Sequence, residues 1–202
     1  MDEATFATIA YADIFDFPLT RDELMRWMIF GGLPPKQKKL YYFLPGRNNL
    51  VSVRRERELW QKEKWDITRR AAGILSKIPT IQLVGVTGGL AMNNAKQDDD
   101  IDLFIITHPG ALWTTRLLAS LFLDIAKLRR HPNEHHVANK ICLNMFVSEP
   151  ALPESERDLF SAHEVLQMEP VFDRGNTYKK FLLANKWVKT FLPNAWRYRY
   201  GH

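Results

Sequence analysis

VTGG (residues 86–89) is followed, after ten residues, by DIDLFII (residues 100–106). These two segments together predict the fold. The apolar run Ile81–Val86 predicts a short strand that ends at the two glycines. Gly88 and Gly89 allow the backbone to turn tightly and to come close to a ligand. Exposed backbone amides at such a turn, and at the helix predicted to start at Leu90, can cradle a triphosphate.

The second half of this stretch, residues 100–107, predicts a strand with two carboxylates on one side. Asp100 and Asp102 point to the same face because side chains alternate along a strand, and Ile101, Leu103 and Ile105 point to the other. Two carboxylates so close repel each other unless a cation neutralises them. An acidic surface turn at residues 98–100 beside an ordinary strand is the alternative, but it leaves Asp102 inside an apolar strand unexplained. We therefore predict a divalent-metal site.

Strands and helices alternate around this stretch, which indicates an α/β fold. Residues 112–130 predict a helix, residues 140–147 the next strand, and residues 154–168 and 178–192 two further helices. The first of these helices carries a stripe that we expect to be buried, namely Leu117, Leu118, Leu121, Phe122, Ile125 and Leu128.

The pattern of a hydrophobic residue, Gly-Gly, ten residues and Asp-hydrophobic-Asp-hydrophobic resembles the signature of the polymerase-beta-like nucleotidyltransferases over residues 88–107. The resemblance implies an α/β (α+β) fold with a mixed sheet and helices on one side. It implies transfer of a nucleoside monophosphate from an NTP to a hydroxyl, with release of pyrophosphate. Gly88 and Gly89 would hold the phosphates, and Asp100 and Asp102 would hold two Mg²⁺ ions, which Mn²⁺ can replace.

One departure from the family pattern concerns the third carboxylate that active members carry on a later strand. The polar residue expected to point inward from the corresponding strand here is Asn144. Asn144 could act as a weakened third ligand in the catalytic set, or Glu149 could serve from the end of the strand. The site could also bind a nucleotide without fast turnover. Whether this protein is an enzyme is therefore left open, with nucleotidyl transfer favoured.

The N-terminal part predicts two helices, the second of which begins with a capping box of Thr20 and Glu23. A short basic helix at residues 36–40 follows Pro34-Pro35, and then a hairpin of residues 41–44 and 50–53, which is the order of a winged helix. We predict four consecutive regions: a winged-helix-like domain (1–53), a connecting helix (54–78), a nucleotidyltransferase core (79–150) and a helical C-terminal cap (151–202). The charges of residues 54–77 are expected to form a solvated face. Candidate phosphate contacts of a nucleic acid are Lys36, Lys38, Lys39, Arg47, Arg54, Arg55 and Arg57.

Composition narrows the class of protein. The chain has 202 residues, a formal net charge of +5 and one cysteine, Cys142. A single cysteine excludes an internal disulfide and fits a reducing compartment, and no apolar run reaches the roughly 20 residues that span a bilayer. We expect a cytoplasmic protein without a membrane partner.

Two further groups that could bind metal are given other roles. Cys142 is expected to pack in the core, and the loop HPNEHH at 131–136 is expected to be solvated or to contact phosphate rather than metal.

Three functional hypotheses follow from these features. The first is Mg²⁺-dependent nucleotidyl transfer from an NTP to a hydroxyl acceptor of unknown identity. The second is a regulatory module of low activity that binds nucleotide and DNA. The third is an interaction protein, such as one partner of a toxin–antitoxin-like pair. The acceptor, the base of the NTP and the oligomeric state are left open by the sequence, and an oligomer is compatible with it.

Overall fold

The computed structural model describes residues 2–36 and 39–201. Its helices and strands follow in the order α1 Glu3–Asp13, α2 Arg21–Arg26, α3 Leu50–Leu75, β1 Ile81–Val86, α4 Gly88–Ala91, β2 Ile101–Thr107, α5 Leu112–Ile125, β3 Ile141–Ser148, α6 Leu159–Gln167, β4 Glu169–Asp173, α7 Thr177–Ala184 and α8 Pro193–Tyr200. Two 3₁₀ segments, Glu149–Ala151 and Lys186–Thr190, follow β3 and α7. Within the described ranges, no helix combines the length and the apolar character needed to cross a membrane.

These elements form two compact units, each built from separate parts of the chain. The first unit contains the residues up to Glu58, Glu154–Leu166 and those from Asn185 onwards. The second contains Leu59–Pro153 and Gln167–Ala184, so the boundary falls inside α3. The residues after 150 are thus shared between both units. The four consecutive regions expected from the sequence stay a prediction about domains.

The second unit contains an open four-stranded sheet in the order β3-β2-β1-β4. Strand β1 pairs antiparallel with β2 and β4, and β2 pairs parallel with β3. This arrangement confirms the predicted mixed sheet of an α/β protein.

Strand β4 was not predicted from the sequence, which was expected to be helical from 154 to 168 and again from 178. The helix α6 occupies only Leu159–Gln167, and after Met168 the chain forms β4, which pairs with β1. Gly85 of β1 makes room for this pairing, because a Cβ there would collide with the Met168 side chain, which is itself buried. A glycine inside a strand often marks such a close approach, but nothing in the sequence identifies the residue that fills the space.

The two faces of β2 explain why this strand reads as almost wholly apolar. Ile101, Leu103 and Ile105 lie in a core cluster that includes residues of β1, α3 and α5, as their predicted orientation requires. On the opposite face Phe104 is buried as well, and its ring lies 5.3 Å from that of Phe181 in α7. Burying side chains of this size contributes roughly 1.5–3 kcal/mol each.

Helix α5 ends at Ile125, five residues earlier than predicted, and its buried face is different. Ala119 and Leu123 are fully buried, and Leu118 and Phe122 pack against the core. The prediction that Leu117, Leu121 and Ile125 are buried is wrong, because these three side chains are exposed, as is Trp113. An apolar residue at nearly every position of the helix made its faces impossible to distinguish by periodicity.

The first unit lacks the predicted hairpin in its described residues. Leu50–Val53 forms the first turn of α3 rather than a strand, and Tyr42 makes only an isolated bridge to Leu19. The helical spacing places Leu50, Arg54 and Arg57 on one buried side, and this favours the helix over the strand. Of the predicted basic helix, Lys36, Lys39 and Leu40 are not helical, and Gln37 and Lys38 lie outside the described residues. The predicted capping box Thr20–Glu23 at the start of α2 is confirmed.

Three of the candidate nucleic-acid contacts are engaged within the first unit. Arg54 donates to both carboxylate oxygens of Glu23, at 2.7 and 2.9 Å, and is nearly buried. Arg47 pairs with Asp13 and Asp16, and Arg57 donates to the backbone carbonyl of Phe15. The expectation that the charges of 54–77 form a solvated face is wrong for these buried members, because carboxylates and carbonyls distant in sequence satisfy them.

Candidate metal centre

The glycine turn, Gly88-Gly89 at the start of α4, lies with its first residue directly against the second carboxylate of the Asp-x-Asp pair. Gly88 has a φ of +64°, a conformation that residues with a Cβ rarely adopt. A Cβ built on Gly88 would lie 3.0 Å from Oδ2 of Asp102. The backbone N–H of Thr87 also donates to the carbonyl of Asp102, at 3.1 Å. Two features separated by ten residues in sequence are thus in contact.

The second glycine allows the loop after α4 to pack closely on this turn. A Cβ on Gly89 would lie 3.3 Å from the Cα of Ala95. The carbonyl of Gly89 accepts a hydrogen bond from the N–H of Asn94, at 2.7 Å, which folds the loop back onto the turn. Gly89 itself remains exposed.

The half-buried carboxylates of Asp100 and Asp102 meet a thiol rather than a third carboxylate. One ligand atom from each of Asp100, Asp102 and Cys142 lies within 4.8 Å of the other two. Among the described residues, no other set of three or more carboxylate, imidazole and thiol groups is arranged in this way. Cys142 is half-buried on β3 beside Asp102, its direct partner in the parallel pairing of β2 and β3. The expectation that Cys142 packs in the core is wrong.

Asn144, the predicted third member of the set, is not part of this cluster. The pairing of β2 with β3 runs from Asp102–Cys142 to Phe104–Met145, so two steps along β2 correspond to three along β3. This bulge removes Asn144 from alignment with the acidic pair, and its side chain is exposed. The alternative, Glu149, accepts a hydrogen bond from Lys180 at 2.7 Å and is also outside the cluster.

Charge repulsion and burial act together on the cluster. Burial and the neighbouring Asp100 carboxylate raise the pKa of Asp102, against the opposing effects of the Cys142 thiol and Arg130. Burial and the two carboxylates raise the pKa of the Cys142 thiol to about 11, so it is protonated at neutral pH. Burial and neighbouring negative charge both disfavour the ionised form, so the two pKa values rise together.

Arg130 supplies the positive charge that the structure places on this cluster. Its Nη1 donates to Oδ2 of Asp100 at 2.6 Å, and this ion pair raises the pKa of Arg130 further. Backbone bonds hold the segment in place beside β3, since the N–H of Arg130 donates to the carbonyl of Ile141 at 2.8 Å. Arg130 was not predicted, because its thirty-residue separation from Asp100 leaves no local signal.

A buried lysine holds the loop that leads into the acidic pair. Lys64 of α3 is fully buried, and its ammonium donates to the carbonyls of Gln97 and Asp99 and to Oδ1 of Asn139. Burial lowers the pKa of Lys64, while the nearby carboxylates of 98–100 and of Glu63 oppose this shift. Gln61, one turn earlier, donates to the carbonyl of Ala95 at 3.0 Å. Sequence patterning assigned Lys64, as one of the charges of 54–77, to a solvated face, and this part of that prediction is wrong.

The described histidines of the loop HPNEHH do not belong to the cluster of Asp100, Asp102 and Cys142. His131 Nε2 lies 3.2 Å from Oδ1 of Asp124, and its backbone N–H donates to Glu134. His135 and His136 are exposed. This arrangement agrees with the preference for a solvated or phosphate-contacting loop.

The comparisons with known proteins identify no relative. The chain matches no protein-family model, and no curated protein matches it. Any functional assignment must therefore be supported by the residues of the site.

Substituting the first glycine tests the contact between the turn and the carboxylate. We expect Gly88→Ala and Gly110→Ala each to lower the free energy of unfolding by about 1–2 kcal/mol, because both positions have positive φ. Only Gly88→Ala introduces a methyl group against Asp102; around Gly110 there is nothing within 4 Å. Urea unfolding combined with Mn²⁺ titration separates the two effects. Equal Mn²⁺ affinities of the two variants would contradict a metal site at Asp102.

Replacing the buried lysine tests whether it holds the acidic loop. We expect Lys64→Met to lower the free energy of unfolding by about 2–4 kcal/mol, since it leaves buried carbonyls without their charged donor. Lys62→Met is the matched control, because Lys62 is exposed on the same helix. Urea unfolding measures both. Equal stabilities of the two variants would show that the Lys64 contacts contribute nothing.

Proposed function

We propose that this chain is a metal-dependent nucleotidyltransferase that moves a nucleoside monophosphate from an NTP to a hydroxyl acceptor. One observation carries the proposal: the glycine turn contacts Asp102, and Asp102 and Asp100 bring their carboxylates together beside it. A turn that admits phosphates next to a pair of metal-binding oxygens is what this reaction needs. The proposal includes the finer identification of the fold as that of the nucleotidyltransferases.

The three ligand groups of the cluster, two carboxylates and one thiol, favour different metals. Two carboxylates suit Mg²⁺ or Mn²⁺, which prefer oxygen ligands, and a cation there would relieve the repulsion between Asp100 and Asp102, which adds to burial in raising the pKa of Asp102. The third group is a thiol, which as thiolate suits softer metals. The described residues thus fit one Mg²⁺ or Mn²⁺ ion held by Asp100 and Asp102. They do not supply a third carboxylate for a second ion.

The proposed reaction forms a bond from the acceptor oxygen to the α-phosphorus and breaks the bond from that phosphorus to the bridging oxygen of pyrophosphate. The acceptor hydroxyl gives its proton to solvent water, and pyrophosphate leaves with the bonding electrons. A divalent cation, when bound, stabilises the negative charge that develops on the phosphate oxygens. The backbone of Gly88 and Gly89 is where the phosphates would bind, and a side chain on Gly88 would collide with Asp102. Asp100 and Asp102 would hold the cation beside this backbone.

No comparable arrangement of residues supports the other two functional hypotheses, the DNA-binding regulatory module and the toxin–antitoxin-like protein. A DNA-binding regulatory module would use the basic N-terminal residues, and Arg47, Arg54 and Arg57 would have to leave the partners described above to contact phosphates. Nothing in the described residues points to a toxin–antitoxin-like partner. Both alternatives stay predictions, and the metal centre favours the enzyme.

Pyrophosphate release tests the proposed activity. Purified protein is incubated with each NTP, Mg²⁺ or Mn²⁺ and a panel of hydroxyl acceptors, and pyrophosphate is measured with time. We expect Asp100→Asn and Asp102→Asn to lower the rate by at least about a hundredfold, because each removes a charged metal ligand. Asp98→Asn is the control for the change in charge, since Asp98 is exposed just before the pair. Pyrophosphate release that survives in Asp102→Asn would overturn the proposal.

The position of the third ligand gives a second, gain-of-function prediction. We expect Cys142→Asp to raise the rate with Mg²⁺ by about tenfold or more, because it adds an oxygen ligand next to Asp102. Asn144→Asp is the matched control, since it adds the same carboxylate at the exposed position beyond the bulge. A rate raised by Asn144→Asp and not by Cys142→Asp would contradict the assignment of Cys142 to the third position.

A further inference from the structure

A basic pocket of about 250 Å³ adjoins the acidic pair in the second unit. It is lined by residues from α5, from the segment after α5 and from β3, chiefly Arg116, Ser120, Arg129, Arg130, His131 and Cys142. Two of these residues connect the pocket to the metal centre. Arg130 is bonded to Asp100, and Cys142 is the strand partner of Asp102.

Two of the basic residues are held in place by one carboxylate. Arg129 donates from Nε and Nη2 to the two oxygens of Asp124, at 2.7 and 2.8 Å. His131 Nε2 lies 3.2 Å from the same carboxylate. A guanidinium fixed by a two-point ion pair keeps its remaining N–H donors in a defined direction. Asp124 thus orients Arg129 while leaving the lining with an excess of positive charge.

Arg116 is the basic residue that faces the pocket without a carboxylate. Among the described residues it has no ion pair, and its guanidinium lies 5.2 Å from the centre of the Phe146 ring. Ser120 follows four residues later on α5, so both side chains lie on the same side of the helix. An arginine with its N–H groups available and a hydroxyl beside it suit an oxyanion with several acceptor oxygens.

We propose that this pocket binds a phosphate monoester carried by the acceptor substrate. Three guanidinium groups around one pocket match a dianion with three terminal oxygens better than they match a single carboxylate. An acceptor held by its phosphate in this pocket has its remaining groups, including a hydroxyl, next to Asp100 and Asp102. The assignment to the acceptor rests on the proposed function, whereas the phosphate site itself does not.

Arg130 gives the site a further property, because it cannot serve both ligands at once. Its guanidinium neutralises Asp100, where a divalent cation would bind, and it also lines the pocket. A phosphate that draws Arg130 towards the pocket frees the Asp100 carboxylate for the cation. The two ligands therefore bind with positive coupling, which must be equal in both directions.

Direct binding measurements test the phosphate site without requiring activity. The probe is ribose 5-phosphate, titrated calorimetrically into the whole chain, with ribose as the neutral control. We expect Arg116→Gln to weaken the affinity about tenfold or more, since it removes a charge-assisted contact. Arg70→Gln is the matched variant, because Arg70 is exposed on α3 outside the pocket. Oligonucleotides with and without a 5′-phosphate then distinguish a nucleic-acid end from a small-molecule acceptor.

Equal binding by wild type and Arg116→Gln, or equal binding of ribose and ribose 5-phosphate, would overturn the phosphate site.

The coupling between phosphate and cation is measured as Mn²⁺ affinity, from the free-ion signal in electron paramagnetic resonance, with and without ribose 5-phosphate. We expect Arg130→Gln to bind Mn²⁺ without the phosphate as tightly as wild type does with it. A wild-type Mn²⁺ affinity that ribose 5-phosphate leaves unchanged would overturn the coupling. Phosphate binding without pyrophosphate release from any NTP would refute the proposed enzyme while leaving the pocket assigned.

Discussion

Repulsion between two neighbouring carboxylates is the constraint around which the second unit is organised. Asp102 lies on β2 and Asp100 directly precedes that strand; both are half-buried, with the thiol of Cys142 beside them. A pair of this kind is unfavourable unless positive charge or hydrogen-bond donors surround it. The rest of the unit supplies these from several directions: Arg130 contacts Asp100, and Lys64 holds the preceding loop through its carbonyls.

The same constraint connects the fold to the proposed chemistry. The glycine at the end of β1 has no Cβ to displace the Asp102 carboxylate, so the turn and the acidic pair share one small space. A divalent cation there would replace part of the compensation that Arg130 supplies. The release of Arg130 would then make the adjoining basic pocket more attractive to an anion. The glycine turn, the candidate metal centre and the proposed phosphate pocket thus all depend on the charges of Asp100, Asp102 and Arg130.

Features of the fold and of the site could be predicted where they depend on residues close together in the sequence. Glycine freedom and two-residue periodicity predict the tight backbone at Gly88, the strand that carries Asp102 and the burial of Ile101, Leu103 and Ile105. The expected bounds differ, because α4 begins at Gly88 rather than at Leu90, and β2 begins one residue after Asp100. The capping box of α2 is local too.

Features that depend on contacts between distant residues could not be predicted. The bulge that puts Cys142 rather than Asn144 beside Asp102 is a matter of pairing between two strands, and a shift of one residue changes which side chain meets the site. Arg130 and Lys64 look like ordinary surface charges, because their partners are thirty or more residues away. In α5, apolar residues on several faces hid which face is buried, and Leu117, Leu121 and Ile125 are exposed.

The most direct test of the central claim is a crystal structure of the chain grown with Mn²⁺, with the ion located by its anomalous scattering. We expect an anomalous peak at bonding distance from carboxylate oxygens of both Asp100 and Asp102, with Arg130 turned away from Asp100. No peak between these carboxylates at saturating Mn²⁺, with the Arg130–Asp100 ion pair intact, would contradict it.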